Sequence, residues 1–193
     1  MSDEKDLIGE RGHSLEADYF RRRDQELLDR AREQEAASER RRQLAAALGI
    51  EDDAIVAGLS ALGFEAGTAP LLDIVPAIQI AWADGALPAK ERAEIERLLA
   101  LSEMEASARA GSRMVAEWLA REPGGELYRL ATDALRLRLA RLDPDARTRL
   151  ASKIIGDCNA VAAASGGVFG IGALSSVESD RIREIAAALG VKS

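Results

Sequence analysis

The chain has 193 residues, a formal net charge of -7 and a hydrophobic content of 47%. That length suits one ordinary domain with an appendage, with enough apolar residues for a core, and the negative balance argues against nucleic acid, whose phosphates need a clustered positive field. Ala, Leu, Glu and Arg dominate while aromatics make up only 4%, so the expected class is all-α, with almost no strand. Residues Met1 to Asp6 lack the apolar core of a secretory signal, and no run approaches the roughly 18 apolar residues of a membrane span. A soluble, cytoplasmic chain is therefore expected. Cys158 is the only cysteine, which excludes an internal disulfide and thiolate zinc sites; with Ala160, Val161 and Ala162 just beyond it, it reads as core packing.

Residues 1 to 50 hold 10 Lys or Arg and 12 Asp or Glu, a disproportionate share of the 26 and 33 in the whole chain. From Ser14 to Leu48 there is neither Pro nor Gly, and opposite charges recur three or four residues apart: Asp18 with Arg22, Glu26 with Arg30, Glu39 with Arg42. A long solvated helix is predicted. Its apolar positions, Leu15, Tyr19, Phe20, Leu27, Leu28 and Ala31, form a narrow stripe interrupted from Arg21 to Asp24, too sparse for a continuous buried face. His13 has a side chain that titrates near neutral pH, but it lies in the entry segment and reads as exposed.

Three stop signals follow the same chemistry: Ala47-Leu48-Gly49-Ile50, Ala61-Leu62-Gly63-Phe64 and Ala188-Leu189-Gly190-Val191. Each places Gly after a helical run and an apolar residue behind it, the pattern of a left-handed glycine C-cap. Between them the periodicity predicts helices over 52–62, 73–84, 88–102, 107–121, 126–142, 144–164 and 176–189. Pro88 and Pro144 fit first-turn positions, and Asp143 caps the helix that Pro144 opens. The chain thus divides into a charged helix over 1–49 and a helical body over 50–193.

The body contains an internal echo. Gly85-Ala86-Leu87-Pro88-Ala89-Lys90-Glu91-Arg92-Ala93-Glu94-Ile95 matches Gly172-Ala173-Leu174-Ser175-Ser176-Val177-Glu178-Ser179-Asp180-Arg181-Ile182 at Gly, Ala, Leu, Glu and Ile, and Leu98 and Ile185 continue the register. Upstream, Ala81-Trp82-Ala83-Asp84-Gly85 parallels Ala162-Ala163-Ala164-Ser165-Gly166 if the second copy carries extra residues in its loop. A duplicated helix-loop-helix unit around a common core is expected.

The first unit, with Asp84-Gly85, Glu91 and Ile95 in this order and spacing, resembles the helical TerB family, named for tellurite resistance. The second, with its Ser165-Gly166-Gly167-Val168-Phe169-Gly170-Ile171-Gly172 loop, is similar to a variant found in relatives of that family. The resemblance covers roughly residues 70 to 190 and implies a TerB-like helical bundle. In the family, acidic residues of this turn are associated with a divalent metal, which implies a weak metal site at Asp84 and Glu91. Hard cations take about six oxygens, and two carboxylates supply only part of that set. Ser175-x-x-Glu178 also reads as a capping box, which gives Glu178 a structural role.

The segment Arg11-Gly12-His13-Ser14-Leu15-Glu16-Ala17-Asp18-Tyr19-Phe20-Arg21 resembles the inhibitory helix of mitochondrial-type F1-ATPase inhibitors and the start of the bacterial ATPase inhibitor zeta subunit. Gly12 departs from the mitochondrial pattern, which is acidic there. The resemblance implies a protein partner, an F1-type ATPase, bound through Arg11, Leu15, Glu16, Tyr19, Phe20, Arg21, Glu26 and Leu28. The same segment is also consistent with a solvated helix lying on the body, or with homo-oligomerisation as a coiled coil. The loop from Gly166 to Gly172 lacks the Gly-Lys-Ser/Thr ending of a phosphate-binding loop and follows no strand, which leaves a long turn tucking Val168, Phe169 and Ile171 inward, or a hydrophobic tip. With one His, one Cys and no nucleophile motif, only a carboxylate mechanism would be available, and no carboxylate pair is marked out for it. The expected function is non-enzymatic and regulatory, acting through the N-terminal helix; the alternative is a stress or tellurite-response protein acting through a metal-binding body.

Overall fold

A computed structural model describes the backbone of residues 3–101, 108–164 and 175–190, and the side chains of 21–100, 111–164 and 175–190. Among the described residues every regular element is helical and there is no strand. The elements are α1 (Asp3–Leu48), α2 (Asp53–Ala61), a 3-10 helix (Ala66–Asp73), α3 (Val75–Ala81), α4 (Ala89–Leu101), α5 (Ala108–Ala120), α6 (Gly125–Arg141), α7 (Pro144–Ala164) and α8 (Ser176–Ala188). They fall into two compact units divided between Arg40 and Arg41. The first is the helical run to Arg40. The second takes the remaining turns of α1 and everything after them.

The body packs around α3. This short helix is lined by Val75, Pro76, Ala77, Ile78, Ile80 and Ala81, all buried, and it lies against α4, α6, α7, α8 and the 3-10 helix. An apolar segment with no polar face is stable only when covered on all sides, and these neighbours supply the cover. Leu44, Leu48 and Ile50 join the same core, so the last turns of α1 are a structural part of the body.

Local chemistry sets most boundaries. Gly49, Gly63 and Gly190 have φ of 68°, 88° and 73°, the left-handed conformation expected of C-caps. Behind the first two, the Ile50 amide donates to the Ala45 carbonyl at 3.2 Å and the Phe64 amide to the Leu59 carbonyl at 3.0 Å. Ile50 and Phe64 are themselves buried, which completes the hydrophobic contact of the Schellman motif. Asp143 accepts from the Ala146 amide at 2.9 Å and Asp52 from the Ile55 amide at 3.0 Å, both N-caps. Ser175 and Glu178 form the predicted capping box, with the Ser175 amide donating to Glu178 at 2.8 Å and the Glu178 amide donating to Ser175 Oγ at 3.1 Å.

The helix expected over 73–84 is shorter, Val75–Ala81, and is preceded by the 3-10 helix. An α-helix starting at residue 73 would place Pro76 where its amide must donate back to residue 72, and proline has no such donor. The chain uses the tighter 3-10 form through Pro70 instead. Thr68 closes that helix start: its Oγ1 accepts from the Glu65 amide at 2.9 Å.

The internal echo carries into the packing. Glu91 and Glu178 are both the third residue of their helices, α4 and α8, and both are buried, at 3% and 8% exposure. Ile95 and Ile182, then Leu98 and Ile185, are buried in step. The copies differ at the position three residues before that glutamate. Residue 175 is a serine whose amide donates to the Glu178 carboxylate, whereas the matching Pro88 has no amide hydrogen to offer.

Candidate partner-binding helix

In α1, every side chain from Arg21 to Ala36 is exposed. Local side-chain pairs support the helical run: Gln25 Nε2 donates to Asp29 Oδ1 at 2.9 Å, and the Arg32 guanidinium lies 3.5 Å from the same oxygen. Exposed pairs of this kind contribute little each, so the helix remains a solvated rod by composition. Leu27 and Leu28 break that pattern. They are 54% and 53% exposed, side by side, among charges. Of the residues implicated by sequence, Arg21, Glu26 and Leu28 are on this exposed run. The side chains of Arg11, Leu15, Glu16, Tyr19 and Phe20, and of His13, lie outside the described residues, although their backbone is helical.

The acidic turn of the body has a different character. Asp84 is exposed, and its Oδ1 accepts from the Ala86 amide at 3.0 Å, an Asx turn that stabilises the bend at Gly85. Glu91 is buried. The two carboxylates thus stand in opposite environments, and among the described residues no group of three or more His, Cys, Asp or Glu is placed to hold a metal ion. Hard cations need about six oxygens, and the described part of the turn provides few. Residues 165–174, including the Gly166 to Gly172 loop, lie outside the described residues.

Several polar contacts in the body were not foreseen. Two side chains cap the C-terminal end of α5: Trp82 Nε1 donates to the Trp118 carbonyl at 3.0 Å, and Arg92 donates to the Leu119 carbonyl. The Trp118 ring packs on Phe64 with centroids 5.9 Å apart. Arg147 similarly reaches the Leu139, Ala140 and Leu142 carbonyls at the end of α6. Free carbonyls at a helix end attract cations and N–H donors, so these residues close helices against one another. Asp73 accepts from Arg138 at 2.8 Å. Cys158 is fully buried, and burial pushes its thiol up to about 12, which makes it a packing residue without thiolate chemistry at neutral pH. The Tyr128 hydroxyl is buried without a hydrogen-bond partner among the described residues; burial, reinforced by the charge of Glu122, pushes the phenol above its ordinary range. It borders an open depression with Gln79, Arg129 and Asp133.

A second open depression, of about 540 Å³, is lined by Leu48, Ile50, Glu51, Arg138, Arg141 and Leu142. Its cationic groups are already matched, Arg138 with Asp73 at 2.8 Å and Arg141 with Glu51 at 2.6 Å. Among the described residues no single helix is long and apolar enough to cross a membrane. Comparison with protein-family models, curated proteins and solved structures returned no match.

Proposed function

We propose that this chain is a non-enzymatic regulatory protein that binds another protein through α1, and that the target is an F1-type ATPase whose hydrolysis it inhibits. The observation that carries the binding reading is the exposed Leu27-Leu28 pair on a charged helix. Adjacent apolar side chains left in water are stabilised by a partner that desolvates them. The ATPase as target rests on the resemblance of Arg11 to Arg21, with Glu26 and Leu28, to the inhibitory helices. In this reading Tyr19 and Phe20 act as aromatic anchors between catalytic subunits, and Glu16, Arg21 and Glu26 pair around them as a salt-sensitive rim.

The test adds the intact protein, a peptide of residues 1 to 50, and the Tyr19→Ala/Phe20→Ala double variant to F1-type ATPase from the same cell. Anchors of this type cost about 2 kcal/mol or more on truncation, roughly thirtyfold in affinity. The expected result is that protein and peptide slow hydrolysis and the double variant loses most of that effect. Turnover unaffected by either one at tens of micromolar (~10–50 µM, well above typical regulatory affinities) would eliminate the ATPase as target.

A further inference from the structure

A helix advances about 100° and 1.5 Å per residue, so the residues sharing a face with Leu28 follow from the numbering. Arg21, Asp24, Arg32 and Glu35 lie within about 40° of it, with Gln25 and Ala31 on the flanks; all are exposed. Read outward from Leu28, this face has opposite charges at equal distances: Arg21 seven residues before it and Glu35 seven after, Asp24 four before and Arg32 four after. The outer pair is about 10 Å along the axis on each side.

We infer that the Leu28 face of α1 binds the same face of a second copy of this chain, antiparallel, with the two-fold axis passing between the two Leu28 side chains. A two-fold interface must be self-complementary, each residue meeting the one that mirrors it. Here Arg21 meets Glu35 of the partner, Asp24 meets Arg32 of the partner, and both pairs recur by symmetry around a central leucine contact. The parallel, in-register alternative sets Arg21 against Arg21, Asp24 against Asp24 and Glu35 against Glu35, and like charges facing each other select against it. The ion pair of Arg32 with Asp29 within the helix, at 3.5 Å and well exposed, is weak enough to be exchanged. With one leucine pair at its centre the association is modest, and it responds to salt because its specificity is electrostatic. The pairing uses Arg21 and Leu28, which the ATPase reading also assigns to its target, so the two complexes compete for one face; self-association is measured on the chain alone and stands or falls without the ATPase.

The full chain tests it in three ways. Sedimentation equilibrium is expected to show a monomer-dimer equilibrium that weakens as salt is raised. Arg21→Glu should weaken the dimer by about tenfold, an amount typical of losing charge pairs and gaining like-charge contacts, and Arg21→Glu combined with Glu35→Arg should restore it. Under oxidation, a mixture of Arg21→Cys and Glu35→Cys chains should cross-link to each other and neither to itself, with the buried Cys158 silent in the background. A chain that stays monomeric at every concentration, a dimer indifferent to charge reversal, or self-cross-linking of Glu35→Cys would each overturn the inference.

Discussion

Asp73 illustrates two opposing effects on one side chain. Its carboxylate accepts from Arg138 at 2.8 Å, yet burial raises its pKa above the ordinary carboxylate value, and the pull of Arg138 and Lys153 only partly offsets this. A folded-state pKa above the unfolded one means that the folded chain holds this proton more tightly. The contribution to stability is therefore fully present below the unfolded value and is lost as pH rises through the folded one. Asp73→Asn removes that titration. Relative to wild type, the variant should gain stability between about pH 3 and about pH 6, where an ordinary carboxylate goes from protonated to ionised; urea midpoints at the two pH values give the comparison. A difference moving the other way would show that the pair with Arg138 outweighs the desolvation. Little of this was legible in the sequence, because the partners are 65 residues apart and nothing local marks them. The Asp143 cap and the Ser175-Glu178 box were legible, since each lies within one turn of its partner and depends only on side-chain reach.

Helix ends were legible for a related reason. A C-cap needs one residue in the left-handed region, where glycine is free of the Cβ penalty, and Gly49, Gly63 and Gly190 all occupy it. At Gly63 an added Cβ would meet nothing within 4 Å, so steric crowding plays no part there. Gly63→Ala should therefore lower stability by roughly 1–2 kcal/mol, the backbone cost alone, read as an earlier thermal midpoint with an unchanged helical spectrum. An unaltered midpoint would mean that the α2 end relaxes freely. The 3-10 helix before α3 was not legible. Its sequence, Ala-Gly-Thr-Ala-Pro-Leu-Leu-Asp, carries breakers that read as loop, and its form is imposed by the need to bury Leu71 and Leu72 while Pro70 and Pro76 withhold amides. The repeat was legible as a residue pattern, and its described parts share burial as well as identity. Of the partner-binding positions, the sequence marked the segment by charge density, but only the structure separates Leu27 and Leu28, in water, from Leu44 and Leu48, in the core.

At the scale of the molecule, the division between Arg40 and Arg41 lies upstream of the compositional break near residue 49. Composition registers where charge thins out, whereas packing begins with the first buried leucine, Leu44. A chain of residues 41–193 should melt close to the midpoint of the body in the intact protein. A chain of residues 50–193 also loses Leu44, Leu48 and the Gly49 cap. At about 1.5–3 kcal/mol for each buried leucine, the loss approaches the 5–15 kcal/mol that a whole domain typically has. Thermal melts of both should show a large drop for the shorter one only, and equal midpoints would mean that the core closes over the gap. The contacts at the end of α5 have an optical consequence. Both tryptophans of the chain, Trp82 and Trp118, meet there, the Trp82 indole donating to the backbone carbonyl of Trp118, and α1 contains none. Indole emission is thus a reporter of the body alone, while far-ultraviolet ellipticity also counts the 46 residues of α1. Heating or dilution that frays the charged helix would dim the second signal and leave the colour of the first unchanged.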